Sequence, residues 1–132
     1  METPRAEARL YLAKAKQFST EATAAMKGAR SDAAMLNAVH AAISATDAVC
    51  VALAGRRSAD PDHQRAADLL QEIGGKSKDV TNSVKQVRML LAKKNVVEYE
   101  SRQASSREAT EAVKRASRFV DWASQTVENA RL

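Results

Sequence analysis

Residues 31–54 read SDAAMLNAVHAAISATDAVCVALA, and this stretch decides the fold. Met35, Leu36, Val39, Ile43, Val49, Val51 and Leu53 fall on several sides of a 3.6-residue period, with alanines filling the gaps. No glycine or proline interrupts the run. The pattern predicts a helix from about Asp32 to Ala54, with Ser31 as its N-cap and Gly55 as its stop. A helix that is apolar nearly all round belongs at the centre of a bundle or at a subunit contact.

The flanking sequence supplies partners for it. Tyr11, Ala15, Phe18, Ala22 and Ala25 share one face of a first helix, from about Arg5 to Lys27, which Gly28 ends. A third helix is predicted to open at Asp60-Pro61, an N-cap residue followed by proline at the first helical position, and to stop at Gly74-Gly75. It carries His63, Ala66, Leu69, Leu70 and Ile73. The fourth is predicted over Asp79 to Lys94, with Val80, Val84, Val87 and Leu91 in 4-3-4 spacing. The polar stretch Asn95 to Ala104 then breaks the pattern. A fifth helix starts at Ser105, where Ser105 and Glu108 have capping-box spacing. Its apolar stripe is Ala109, Ala112, Val113, Ala116, Phe119, Ala123 and Val127. The expected fold is all-α: an up-down bundle of four to five helices, forming one domain over residues 1–132.

Composition agrees. The chain has 132 residues, 27 of them alanine, with only four glycines and two prolines. Apolar types make up 45% and charged types 28%. This allows a packed core and argues against disorder. Aromatics are 4%, which disfavours a sandwich or barrel. One cysteine, Cys50, excludes an internal disulfide and a cysteine-cluster metal site. No uninterrupted run of 18 apolar residues occurs, so no membrane span is expected. Met1 to Leu10 has no signal-peptide core, and a cytoplasmic location is the default. Phosphate-loop, nucleophile-elbow and HExxH motifs are absent, and no cofactor or metal site is expected.

Three groups of residues could carry chemistry. Asn37, His40, Ser44 and Asp47 are spaced 3, 4 and 3, a polar seam along the apolar second helix. Such a seam is either an internal hydrogen-bond network, a stripe facing solvent, or the lining of a cleft or symmetric interface. Lys76, Lys78, Lys85, Arg88, Lys93 and Lys94 are opposed only by Asp79, so the positive charge is concentrated rather than spread. Of these, Lys85, Arg88 and Lys93 are the candidate phosphate contacts, against the reading of a merely solvated face. Third, Lys94, Asn95 and Tyr99 place a cation, an amide and a phenol near one helix end. Read alone, they make a C-terminal cap that the helix dipole favours. His63, near a helix start, is either an acid–base group or a plug bonded to a backbone carbonyl.

The order of these features resembles the HEPN family, the small helical domains named for higher eukaryotes and prokaryotes nucleotide-binding. The resemblance runs from Ala8 to Val127. It rests on Tyr11-Leu12-Ala13-Lys14-Ala15 and Phe18, on Asn37 to Ile43 with Asp47-Ala48 and Gly55, on His63 with Leu69-Leu70, on Lys94 to Tyr99, and on the capped final helix. It implies a four- to five-helix bundle, often a homodimer. In catalytic members an Arg-x4-6-His motif from each subunit cleaves RNA without a metal, the arginine holding phosphate and the histidine moving the 2′-hydroxyl proton. Many such members are toxins neutralised by a small nucleotidyltransferase partner. Here Lys94 stands in the arginine position and Tyr99 in the histidine position. Lysine is a point charge without a bidentate fork, and a phenol with a reference pKa of about 10 is a weak base near neutral pH. The expectation is therefore a non-catalytic, dimeric binding or partner module of a toxin–antitoxin-like gene pair, or an RNA- or nucleotide-binding adaptor. Two alternatives are a metal-independent ribonuclease toxin using Lys94, Asn95 and Tyr99, and a purely structural bundle.

Overall fold

Five helices account for the chain in a computed structural model that describes all residues, Met1–Leu132. They are α1 (Ala8–Lys27), α2 (Ser31–Ala54), α3 (Gln64–Gly74), α4 (Lys78–Glu98) and α5 (Ser106–Asn129), with a single 3-10 turn, Arg5–Glu7, before α1. Helix α2 is the axis of the fold. It packs against each of the other four helices, whereas α1 touches neither α3 nor α4. Its buried face is mostly alanine with Met35, Val39, Val49 and Val51. Small side chains let neighbouring helix axes come close, so the core fills without aromatic bulk.

The stripe expected for α5 is buried in full, from Ala109 to Val127, and Val120 joins it. The capping box closes as its spacing requires. The Ser105 hydroxyl accepts from the Glu108 amide at 3.0 Å, and the Glu108 carboxylate accepts from the Ser105 amide at 3.1 Å. On α1, Ala15, Ala22 and Ala25 are buried, while Tyr11 and Phe18 lie half-buried at one edge of the core.

Several boundaries differ from the sequence reading, each for a local reason. Ser31 is the first residue of α2 rather than its cap; Arg30 holds the cap position without a side-chain bond. Helix α3 begins at Gln64, not Asp60. The Asp60 carboxylate accepts from the Asp62 amide at 2.8 Å, and Asp62 in turn accepts from the Gln64 amide at 3.0 Å. Two successive aspartate turns thus hold this segment out of the helix. Helix α4 runs on through Asn95 to Glu98, because Val96 still faces the core and Lys94 and Glu98 pair across one turn at 3.0 Å. At the α1–α2 turn the left-handed residue is Ala29, φ 59°, and not Gly28. Gly28 instead leaves room for the Arg30 guanidinium, which folds across it; a Cβ there would collide with that side chain. Gly55 is left-handed, as a helix stop requires.

By length and composition α2 would qualify to cross a membrane, with mean hydropathy 1.5 over its best 18 residues. An uninterrupted apolar run does not capture this, since Asn37, His40, Ser44 and Asp47 break the run while the aliphatic residues keep the mean high. Here 61% of that stretch is buried against the other helices.

Candidate functional site

The gap between α1 and the α3–α4 pair exposes one strip of α2. Leu36, Asn37, His40, Ile43, Ser44 and Asp47 are half-buried, while the residues between them are buried. The polar seam is therefore a half-buried strip rather than an internal network, and of its four residues Asp47 lines a cleft. Asn37 donates to the Ala33 carbonyl one turn back, at 2.9 Å. The His40 ring lies against Phe18 of α1, with centroids 5.4 Å apart. Burial lowers the His40 pKa below its usual range; Glu98 opposes this, and the positive charges of Lys94 and His63 add to it. That electrostatic coupling ties the seam to the end of α4.

Lys94, Asn95 and Tyr99 meet at one cleft of about 400 Å³ with His63 and Gln64 on its other wall. The helical extension of α4 sets their geometry. Lys94 is matched by Glu98, and Tyr99 is the C-cap residue, 76% exposed. His63 was the residue whose role the sequence left open; the aspartate turns that delay α3 bring it over the motif. The structure thus puts His63 in one cleft with the motif, and His63 also lines the neighbouring cleft that holds Asp47.

The proposed phosphate contacts lie mostly elsewhere. Arg88 is turned toward α3, where it bonds Asp68 at 2.5 Å and the Gln64 side chain at 3.1 Å. This pairing holds the Asp68 carboxyl below its ordinary range. Lys93 stands 3.9 Å from Glu108, and Lys85 is exposed on the outer face of α4.

A second cleft, of about 270 Å³, continues the groove past His63 toward the end of α2. Asp47 and Arg57 face it, and sequence reading had not joined them, because Arg57 sits in a loop ten residues on. The left-handed turn at Gly55 sends that loop back along α2. The N-terminal segment then fixes it: the Arg57 amide donates to the Met1 carbonyl at 3.1 Å, and the Thr3 amide donates to the Gly55 carbonyl at 2.8 Å. The Arg57 guanidinium lies over the Tyr11 ring at 5.5 Å, yet its buried Nε has no hydrogen-bond partner. Burial pushes the Asp47 carboxyl up to about 6, with Arg57 holding it from rising further. The Cys50 thiol, buried one turn beyond, is pushed up to about 12 by burial and then by Asp47. It is a packing residue, not a nucleophile. No three His, Cys, Asp or Glu side chains cluster closely enough to share a metal ion.

The family model described as HEPN domain matches residues 8–127 of the chain. No curated protein matches it.

Proposed function

The chain belongs to the HEPN domain family, and from that premise we propose that it acts as a non-catalytic binding module. Two copies face each other across the α2 groove, and the groove takes RNA or nucleotide phosphate. The observation that carries this reading is the motif itself. Lys94 already has a carboxylate partner at 3.0 Å, and Tyr99 stands exposed at the helix end in the place of a proton-transfer histidine. Such a site can hold an anion by exchanging Glu98 for phosphate, but its two motif positions offer neither a bidentate fork nor a neutral-pH base. Dimerisation is supported by the apolar residues the groove leaves open. Leu36 and Ile43 of α2 and Tyr11 and Phe18 of α1 stand half-buried beside the seam. A role as one half of a toxin–antitoxin-like pair, with a nucleotidyltransferase-type partner, is the setting this module would serve.

The test is sedimentation of the purified chain, followed by RNA titration at low and moderate salt. A dimer that binds RNA in a salt-dependent way supports the proposal. A strict monomer refutes the paired groove, and a dimer indifferent to RNA leaves a structural bundle. A metal-independent ribonuclease is the second reading, favoured by one observation: His63 shares the cleft of Lys94, Asn95 and Tyr99. Growth arrest with RNA cleavage on expression, relieved by Tyr99→Phe or His63→Gln, would establish it in place of the first.

A further inference from the structure

The Asp47–Arg57 cleft presents two charged groups whose hydrogen-bonding capacity is unspent. Asp47 is half-buried, yet no ion pair or hydrogen bond engages its carboxylate in the folded chain. Arg57 is close enough to influence it, but its buried Nε is also without a partner. A buried, unpartnered Nε is costly, while the Asp47 oxygens stay open to the cleft, so a ligand there can satisfy the first and engage the second. The remaining lining includes the apolar Ile43, Pro61 and Ala66, with the Ser58 hydroxyl, the His63 imidazole and a second carboxylate, Asp60, whose Oδ1 is engaged by the Asp62 amide. The cleft is just below the usual size of ligand pockets, about 300–1,000 Å³, so it suits one heterocycle rather than a longer molecule.

We propose that this cleft recognises a guanine base, with Asp47 accepting from its N1–H and N2 amino group and Arg57 donating to its carbonyl edge. The choice among bases follows from donor and acceptor order. A carboxylate needs two adjacent N–H groups, which only guanine presents on one edge; adenine would turn the N1 lone pair toward it, and uracil has a single N–H. Arginine in turn matches the acceptors O6 and N7. Both clefts share Pro61 and His63. A nucleotide with its base at Asp47 therefore has its phosphate on the Lys94 side. This inference rests on the groove binding nucleotide or RNA, and it names the base.

The experiment is a chemical-shift titration of the full chain with the trinucleotides UGU, UIU, UAU and UUU, where I is inosine, and with free GMP. Tightest binding is expected for UGU, about tenfold over UAU and UUU, with UIU between because inosine lacks the N2 amino group. In Asp47→Asn the ratio of UGU to UUU affinity should fall to within about twofold, and Arg57→Lys should weaken UGU more than UUU. GMP competing as well as UGU assigns the pocket to a free nucleotide; competition by UGU alone assigns it to an RNA strand. Equal affinity of the wild type for all four trinucleotides overturns the guanine assignment while leaving phosphate binding standing. Binding of none overturns both. A change in sedimentation of Asp47→Asn with no change in base preference means the pair serves contact between copies, and also overturns it.

Discussion

Replacing Asp47 by Asn should stabilise the protein, and by an amount that depends on pH. In the folded chain burial raises this carboxyl to about 6, against an ordinary value of 3.8. The folded state therefore binds the proton more tightly than the unfolded state does. For an acid shifted upward, stability is intact below the unfolded value and is lost as pH rises through the folded one. With both states ionised, that difference amounts to about 3 kcal/mol. The same linkage gives roughly half of that at pH 5 and under about 1 kcal/mol at pH 4. The amide of the variant would keep the shape and remove the charge. Its advantage over the wild type should be near 3 kcal/mol at pH 7.5 and shrink by about 2 kcal/mol or more on going to pH 4. Urea denaturation followed by circular dichroism at pH 4, 5, 6 and 7.5 measures this directly. At roughly 4 °C per kcal/mol for a chain of this size, a melting shift of about 10 °C should also appear at neutral pH. If Asp47→Asn destabilises the protein equally at every pH, the carboxylate is a satisfied partner in the fold, and the argument from its unpaired burial fails.

Other substitutions separate core from groove. Met35→Ala, on the wholly buried face of α2, should cost about 2–5 kcal/mol in the same denaturation assay. Ile43→Asp, by contrast, should leave the fold intact and abolish dimerisation in sedimentation, because Ile43 lies half-buried on the groove strip rather than in the core. Ser105→Ala removes the capping hydroxyl of α5 and should cost about 1 kcal/mol. Gly55→Ala should be destabilising by about 1 kcal/mol: φ is +63° there, and the new Cβ would sit 3.2 Å from the Thr3 carbonyl.

The fold was legible because its strongest signals are local. The α2 composition and the α5 stripe need only periodicity, and the Ser105–Glu108 box needs only spacing. The end of α4 was not legible, since Lys94, Asn95 and Glu98 are all polar and a single buried valine, Val96, carries the helix onward. The start of α3 misled for a related reason. Asp60-Pro61 has the composition of a helix start, but Asp60 and Asp62 each satisfy the amide two residues on. The same side chains that can cap a helix can postpone it. The seam could be seen in the sequence as a pattern, though not what faced it. His63 and Arg57 reach the groove through loop geometry, set by an aspartate turn in one case and by the left-handed Gly55 in the other.

Charge counting was the least transferable part of the sequence reading, and the structure turns it into a quantity. Six cations lie between Lys76 and Lys94, which for a single strand would give a salt slope near −4 if all met phosphate. Yet Arg88 is spent on Asp68 and Gln64, and Lys93 faces Glu108. Lys76 and Lys78 stand at the opposite end of α4, about 25 Å from Lys94 by helical rise, beyond a trinucleotide seated at the motif. Lys85 is exposed on the outer face of α4, away from the cleft residues. With Arg57 given to the base, that leaves Lys94, by exchange of Glu98. One phosphate contact predicts a slope of log affinity against log salt of about −0.7 for UGU. Measured between low and moderate potassium chloride, a slope near this value supports binding in the groove. A slope steeper than about −3 would place the RNA along the outer lysines of α4 and refute the groove as its seat.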